Sequence, residues 1–209
     1  MKSGIIVGVV GLCLGAAGVS SAGVVFQQLP DYSTGYLADS SGNYPNQRMA
    51  ENFKLTSAAA ISMVEVWGEY YPNNIPSDHF TVSFYASAGM IPGALLYTGA
   101  AASFVTVDTG VDTSERDVYQ STITLATPFN AAAGTQYWIC IDNATGLGSS
   151  WAWITTDESD FKCAFSVDAA NSWSSFDESL SLRLYDVPAP STLAMLGIGG
   201  LFAARRGRR

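Results

Sequence analysis

The sequence predicts an all-β protein, an antiparallel β-sandwich of jelly-roll-like order with about eight to ten strands. Apolar and polar residues alternate with a period of two in several segments, most clearly at residues 80–86 and 179–184. Clusters of Gly, Pro, Asn and Asp separate these segments, and no window keeps a helical period. Short strands joined by frequent turns are typical of this fold class.

Each predicted strand is bounded by residues that favour turns. Further alternating runs, in chain order, lie at residues 61–67, 118–125, 136–141 and 151–155. Turn clusters stand beside the runs at residues 71–76, 89–93, 108–114 and 142–150. We therefore expect half-buried antiparallel strands that are connected by surface turns.

The N-terminus is predicted to be a signal peptide, residues 1–22. Lys2 provides a positive charge, residues 4–19 form an apolar run, and the small residues that signal peptidase reads end at Ala22. We expect cleavage after Ala22, so that the exported chain starts at Gly23.

The C-terminus has a three-part order that does not suit a packed helix. In the first part, Pro188-Ala189-Pro190, each proline fixes its own φ and disfavours a helical conformation in the residue before it. A predicted hydrophobic anchor helix follows, with the large apolar residues Leu193, Leu196, Ile198, Leu201 and Phe202. Residues 192–204 would span roughly 20 Å of a hydrocarbon core about 30 Å thick, so we expect a transient tether.

The chain ends in a cluster of basic residues, which the positive-inside bias holds in the cytoplasm: Arg205, Arg206, Arg208 and Arg209. Together the three parts, residues 187–209, resemble the PEP-CTERM sorting signal of exported bacterial proteins, with Ala189 in place of the usual Glu. The resemblance implies an exosortase-type transpeptidase as partner, brief anchoring in the inner membrane, and then a place at the cell surface or outside the cell. Blocks at residues 52–55, 79–85, 92–97 and 133–139 look like the all-β domains that precede such anchors.

Between the two targeting segments, residues 23–186 are predicted to form one domain, the β-sandwich. This part holds all 18 acidic residues of the chain but only five basic ones, so its net charge is −13 whereas that of the whole chain is −8. An acidic surface repels phosphate backbones, which excludes nucleic acid as a partner. Cations, basic proteins and neutral glycans remain compatible with it.

Two cysteines are left in the exported chain, Cys140 and Cys163. Export brings them into an oxidising environment, in which an even pair is a candidate disulfide. Both also stand in apolar, strand-like runs, where separate buried thiols are ordinary. The sequence leaves the two alternatives open.

Aromatic residues provide a candidate glycan contact. Trp151 and Trp153 are two residues apart in a predicted strand and therefore share a face, and an exposed aromatic pair can stack on sugar rings. Tyr70 and Tyr71, at the end of another predicted strand, form a second such pair. The alternative is that these rings line the core.

The sequence contains no recognisable catalytic motif. His79 is the single histidine, and neither a Gly-x-Ser-x-Gly elbow nor a His-Glu-x-x-His pair accompanies it, so a surface position at a strand end is favoured. Acidic loops at residues 108–117, 142–143 and 157–160 could hold calcium, but none has the Asp-x-Asp-x-Asp-Gly spacing. We therefore predict neither a metal ion nor a cofactor.

These observations predict an exported, non-enzymatic protein with a structural or adhesive role in the envelope or its exopolysaccharide. The alternative is a carbohydrate-binding module that uses the aromatic pairs. A secreted hydrolase is the third hypothesis, and it requires two carboxylates that face each other across a cleft.

Overall fold

The computed structural model describes residues 22–41, 47–72, 77–113, 116–158, 162–167 and 172–187. They belong to one compact unit, Ala22–Val187, which contains the whole described core and therefore has what a domain needs to fold alone. The predicted signal peptide up to Ser21 lies outside the described residues. So do the predicted sorting motif, anchor and basic cluster, from Pro188 to Arg209.

Every regular element in the described ranges is a strand, which confirms the all-β prediction. The strands are β1 (Val24–Gln28), β2 (Gly35–Leu37), β3 (Arg48–Lys54), β4 (Ala59–Tyr71), β5 (Phe80–Ser87), β6 (Pro92–Asp112), β7 (Asp117–Ala131), β8 (Gln136–Asn143), β9 (Ser150–Ile154), β10 (Cys163–Ser166), β11 (Ser174–Phe176) and β12 (Leu182–Asp186). Within these ranges there is no helix that has the length and apolar character to cross a membrane.

The strands form one continuous antiparallel sheet that curls into a half-barrel. Its order is β1-β12-β4-β7-β6-β5-β8-β3-β10-β11, while β9 pairs with β4 and β2 pairs with β9. The long strand β6 joins the two halves, because it pairs with β5 up to Ala100 and with β7 from Ala101 onward. A curled sheet thus takes the place of the predicted sandwich of jelly-roll-like order, since one strand belongs to both halves.

A single main core lies between the two halves of the sheet. Phe84 of β5 and Phe129 of β7 stack with their ring centroids 4.2 Å apart, and Phe53 of β3 stacks on Tyr137 of β8 at 5.7 Å. Burial of such side chains stabilises the fold by about 25 cal/mol for each Å² of apolar surface removed from water. The core is therefore what holds the curvature of the sheet.

Gly68 of β4 allows the closest approach of a large side chain to the sheet. A Cβ atom at this position would overlap the indole ring of Trp151, so glycine is required where β4 and β9 meet. Trp151 also contacts Phe80 edge-on, with 5.5 Å between the ring centroids. The indole N–H of Trp153 donates to the carbonyl of Ser181 at 2.6 Å. Both tryptophans of β9 are therefore part of the core.

The predicted alternating segments fall on β4, β5, β7, β8, β9 and β12, with differences of a few residues at their ends. The sequence did not predict β6, and part of the turn predicted at residues 108–114 belongs to it. Most residues of β6 are exposed and only Pro92 is buried, so no face had to be apolar and no alternation marked the strand.

Candidate functional site

The two ends of the described domain lie side by side. The backbone N–H of Gly23 donates to the carboxylate of Asp186 at 2.8 Å, and the N–H of Asp186 donates to the carbonyl of Gly23 at 3.0 Å. The N–H of Val187 donates to the carbonyl of Ala60 at 2.9 Å. The sheet therefore holds the chain up to the residue before Pro188, and the predicted signal-peptide cleavage site adjoins the same place.

Cys140 and Cys163 are free and buried, which corrects the candidate disulfide to two separate thiols. They pair with neighbouring residues of β3, Cys140 with Ala50 and Cys163 with Glu51, from opposite sides of that strand. Two strand spacings make about 9–10 Å, and Cα atoms more than about 7 Å apart cannot be bridged. Their side chains also pack in different clusters, on opposite faces of the sheet. Burial raises the pKa of both thiols.

The predicted glycan contact of Trp151 and Trp153 is wrong, because these side chains are only 1% and 0% exposed. All five residues of β9 are buried. The tryptophans face the main core, and Ile154 packs on the other face against Trp67 and Val118. A strand that is covered on both faces has no aromatic surface to offer to a sugar.

A buried polar network occupies the region around Asp78. Its carboxylate accepts hydrogen bonds from the Tyr70 hydroxyl at 2.8 Å and from the Asn143 side-chain amide at 2.7 Å. Burial raises the pKa of Asp78, and these two hydrogen bonds oppose that effect. The network fastens β4 and β8 to the segment that leads into β5, so Tyr70 is a structural residue and not a glycan contact.

His79 is exposed at the entry to β5, as predicted. Its backbone N–H donates to the side-chain oxygen of Asn143 at 2.9 Å, and its ring nitrogen Nδ1 lies 3.2 Å from the carbonyl of Ala144.

The acidic loops that could hold calcium are only partly described. Asp108 and Asp112 of the first loop lie at the far end of β6, and residues 159–160 of the third loop lie outside the described residues. The described His, Cys, Asp and Glu side chains form no group of three or more that could hold a metal ion.

A groove of about 260 Å³ opens beside Tyr71, the one member of the predicted aromatic pairs that is exposed, at 55%. Its lining residues come from β2, β4, β9 and the β6–β7 hairpin: Gly35, Leu37, Glu69, Tyr71, Arg116 and Ala152. The guanidinium carbon of Arg116 lies 5.3 Å from the centroid of the Tyr71 ring. The groove therefore has an aromatic wall with a cation stacked against it.

Glu69 carries the charge that balances Arg116. Its carboxylate oxygen Oε1 lies 2.5 Å from Nη1 of Arg116, and its other oxygen accepts a hydrogen bond from the Thr113 hydroxyl. Donors, an acceptor and a flat ring are the groups that orient a neutral polar ligand such as a sugar. The sequence did not predict Glu69 or Arg116 as site residues. The only signal for Arg116 is that it is one of five basic residues in a strongly acidic domain.

The comparisons with known proteins assign the chain at two levels. Residues 24–193 match the model of a family described as a domain of unknown function, DUF7901. The chain belongs to the DUF7901 family. Residues 186–209 of this DUF7901 protein match the PEP-CTERM protein-sorting motif, which confirms the predicted sorting segment. No match was found among curated proteins or among solved structures.

The sorting motif identifies this DUF7901 protein as an exported protein that is sorted by an exosortase. The match begins at Asp186, the last residue of β12, so the folded domain and the sorting segment adjoin without a spacer. Cleavage after Val187 would leave every described strand intact.

Proposed function

We propose that this DUF7901 protein is a structural or adhesive component of the bacterial cell surface or extracellular matrix, displayed there after an exosortase has processed its tail. The proposal is carried by the sorting motif that starts where β12 ends. Such a tail serves to place a finished domain outside the cell. The backbone hydrogen bonds of Asp186 and Val187 hold the chain in the sheet up to the residue before Pro188.

The test follows the protein through the cell fractions. Deletion of residues 193–209 removes the anchor and the basic cluster, so the chain should move from the membrane and surface fractions to the medium. The matched control is Ala189→Glu, which supplies the usual residue of the motif and should be sorted at least as well as the native chain. Unchanged fractionation of the deletion variant would show that the tail is no anchor.

The structural role needs its own measurement. Cells without the gene should lose cell-to-cell cohesion or matrix integrity, and the native gene should restore it whereas the tail-deleted gene should not. Equal cohesion in all three strains would contradict a structural or adhesive role, even where sorting itself is correct.

A second candidate function is binding of a neutral glycan, such as an exopolysaccharide, in the groove of Tyr71. The exposed ring can stack on a sugar, while Arg116 and Glu69 offer hydrogen-bonding groups at the side of the ring. This candidate replaces the tryptophan pair with the one member of the predicted aromatic pairs that is exposed.

Its test is affinity electrophoresis of the domain in gels that contain the exopolysaccharide of the host. Retardation of the native domain should be lost in Tyr71→Ala, and should persist in Leu147→Ala, which removes a 95% exposed apolar side chain elsewhere. Because Tyr71 is at the surface, the midpoint of urea unfolding should stay nearly unchanged. Equal retardation of both variants would rule out the groove.

A further inference from the structure

Each half of strand β6 has a single ladder partner among the described strands, so each half is an edge of its own part of the sheet. Up to Ala100 its ladder partner is β5, and from Ala101 onward its partner is β7, so in the described sheet each half of β6 is paired on one side only. The backbone groups on the other side have no neighbouring strand among the described residues. An unpaired edge is a template for another strand.

The side chains of this edge are unusually apolar for a surface strand. Half of the large apolar side chains that are exposed in the described ranges lie on β6: Leu95, Leu96, Phe104, Val105, Val107 and Val111. Val105 and Val107 are the most exposed of them, at 63% and 58%. Proteins commonly protect an edge strand by charged side chains, proline or a bulge that turns the strand away.

Charge is absent from most of strand β6 although the domain is highly acidic. Residues 88–107 contain no charged residue, and Asp108 is the first acid after them. With a net charge of −13 outside this stretch, two copies of the domain repel each other at most approaches. The uncharged edge of β6 is the surface on which they can meet.

We propose that β6 is an interface between two copies of this chain, which pair edge to edge and antiparallel about a two-fold axis at Val105. In this register Val105 faces Val105 of the second copy, and Ser103 faces Val107. Asp108 then faces Ala102, so no two acids oppose each other in the half of β6 that pairs with β7. The same strand is thus complementary to itself, as a two-fold interface requires.

The second copy fits this edge better than a basic partner does. A basic protein would seek the acidic faces of the domain, and β6 offers it no carboxylate between residues 88 and 107. Self-association also gives the proposed structural role a physical basis. The biological purpose of the dimer rests on that proposed role, whereas the geometry of the dimer does not.

The experiment measures the mass of the domain, Gly23–Val187, by sedimentation equilibrium up to about 200 µM. We expect a dimer, and we expect association to strengthen between about 0.15 M and 1 M NaCl because salt screens the repulsion between two acidic bodies. Val105→Lys should raise the dissociation constant by about 100-fold, since it places two like charges at the axis. The matched control is Val167→Lys, at a valine of nearly equal exposure, 65%, outside β6, which should remain dimeric.

Cross-linking tests the register. Val105→Cys should form a disulfide-linked dimer under mild oxidation, because residues opposite each other in an antiparallel pair have Cα atoms about 4.5–5.5 Å apart, within disulfide reach. The native thiols do not interfere, since both are buried. Val167→Cys should stay monomeric on denaturing gels.

A native domain that stays monomeric at every concentration overturns the proposal, and so does a Val105→Lys variant that dimerises like the native chain. Dissociation by salt would also overturn it, because it would point to a charged interface elsewhere. A Val105→Cys variant that dimerises without cross-linking would overturn the two-fold axis at Val105. A monomeric domain that cells still retain in their matrix would leave the proposed function standing and remove only this inference.

Discussion

Asp142 is a half-buried acid whose charge depends on pH in the range where bacteria live. Burial raises its pKa from 3.8 to about 6, and the neighbouring charge of Asp39 acts in the same direction. Arg48 and the hydrogen bonds from Ser40 oppose this effect. The carboxylate oxygen Oδ1 is buried and has no hydrogen-bond partner among the described residues. Ionisation therefore costs more in the folded chain than in the unfolded chain.

The sign of the pH dependence follows from this shift. Because the folded pKa lies above the unfolded one, the stabilising contribution is complete below about pH 4 and is lost as the pH rises through about 6. We expect Asp142→Asn to unfold at the same urea concentration as the native domain near pH 4, and to be more stable near pH 7 by about 3 kcal/mol at most. Urea unfolding at the two pH values measures the difference.

A surface acid provides the control for this measurement. Asp177 is 84% exposed and pairs with Lys162 at the surface, so Asp177→Asn should change stability little and equally at both pH values. If Asp142→Asn increases the stability of the domain no more at neutral pH than at low pH, burial does not disfavour ionisation of the Asp142 carboxylate.

The residues of the site show where sequence reasoning ends. The spacing of Trp151 and Trp153 correctly places both side chains on one face of a strand, but it does not tell whether that face meets water. The answer depends on Gly68, which is distant in sequence and makes room for the Trp151 indole. The pairing of Glu69 with Arg116 is likewise a contact across two strands, and no local pattern predicts it.

At the scale of elements, the hairpin between β6 and β7 carries an unfavourable pair. Asp112 and Asp117 are opposite each other in the ladder, and like charges in this position destabilise a strand pair. Asp112→Asn should therefore stabilise the domain by about 0.5 kcal/mol, and the gain should shrink at high salt. Urea unfolding at low and high NaCl concentrations measures both effects.

A double-mutant cycle separates this pair from the general benefit of removing negative charge. After Asp117→Asn, the second substitution Asp112→Asn should add almost nothing, because the repulsion is already gone. Additive effects of the two substitutions would mean that the acids do not interact.

The elements also explain which part of the fold the sequence could predict. β5 alternates because one of its faces lies in the main core, whereas β8 is a continuous apolar run because both of its faces are buried, and the bounds of both strands are recognised. β6 has no such face over most of its length, and residues 93–102 are mainly small or without charge. β6 lies between the two halves because it pairs with both β5 and β7, and this pairing is visible only in the folded sheet.

For the whole molecule, the adjacency of the two ends connects processing at the N-terminus with the start of the sorting motif. Removal of the predicted signal peptide after Ala22 turns the nitrogen of Gly23 into a charged amine. That nitrogen already lies 2.8 Å from the Asp186 carboxylate. Cleavage after Ala22 would therefore convert a backbone hydrogen bond into an ion pair, which would fasten β1 to β12 one residue before Val187.

We expect the domain with a free amine at Gly23 to be more stable by about 0.5 kcal/mol than the same domain with an acetylated N-terminus. An α-amine loses its proton near pH 8, so the advantage should be complete below about pH 7 and should disappear as the pH rises above about 9. In Asp186→Asn the two N-terminal forms should unfold at the same urea concentration. If acetylation costs as much in that variant as in the native domain, the amine acts through the general charge of an acidic protein and not through Asp186.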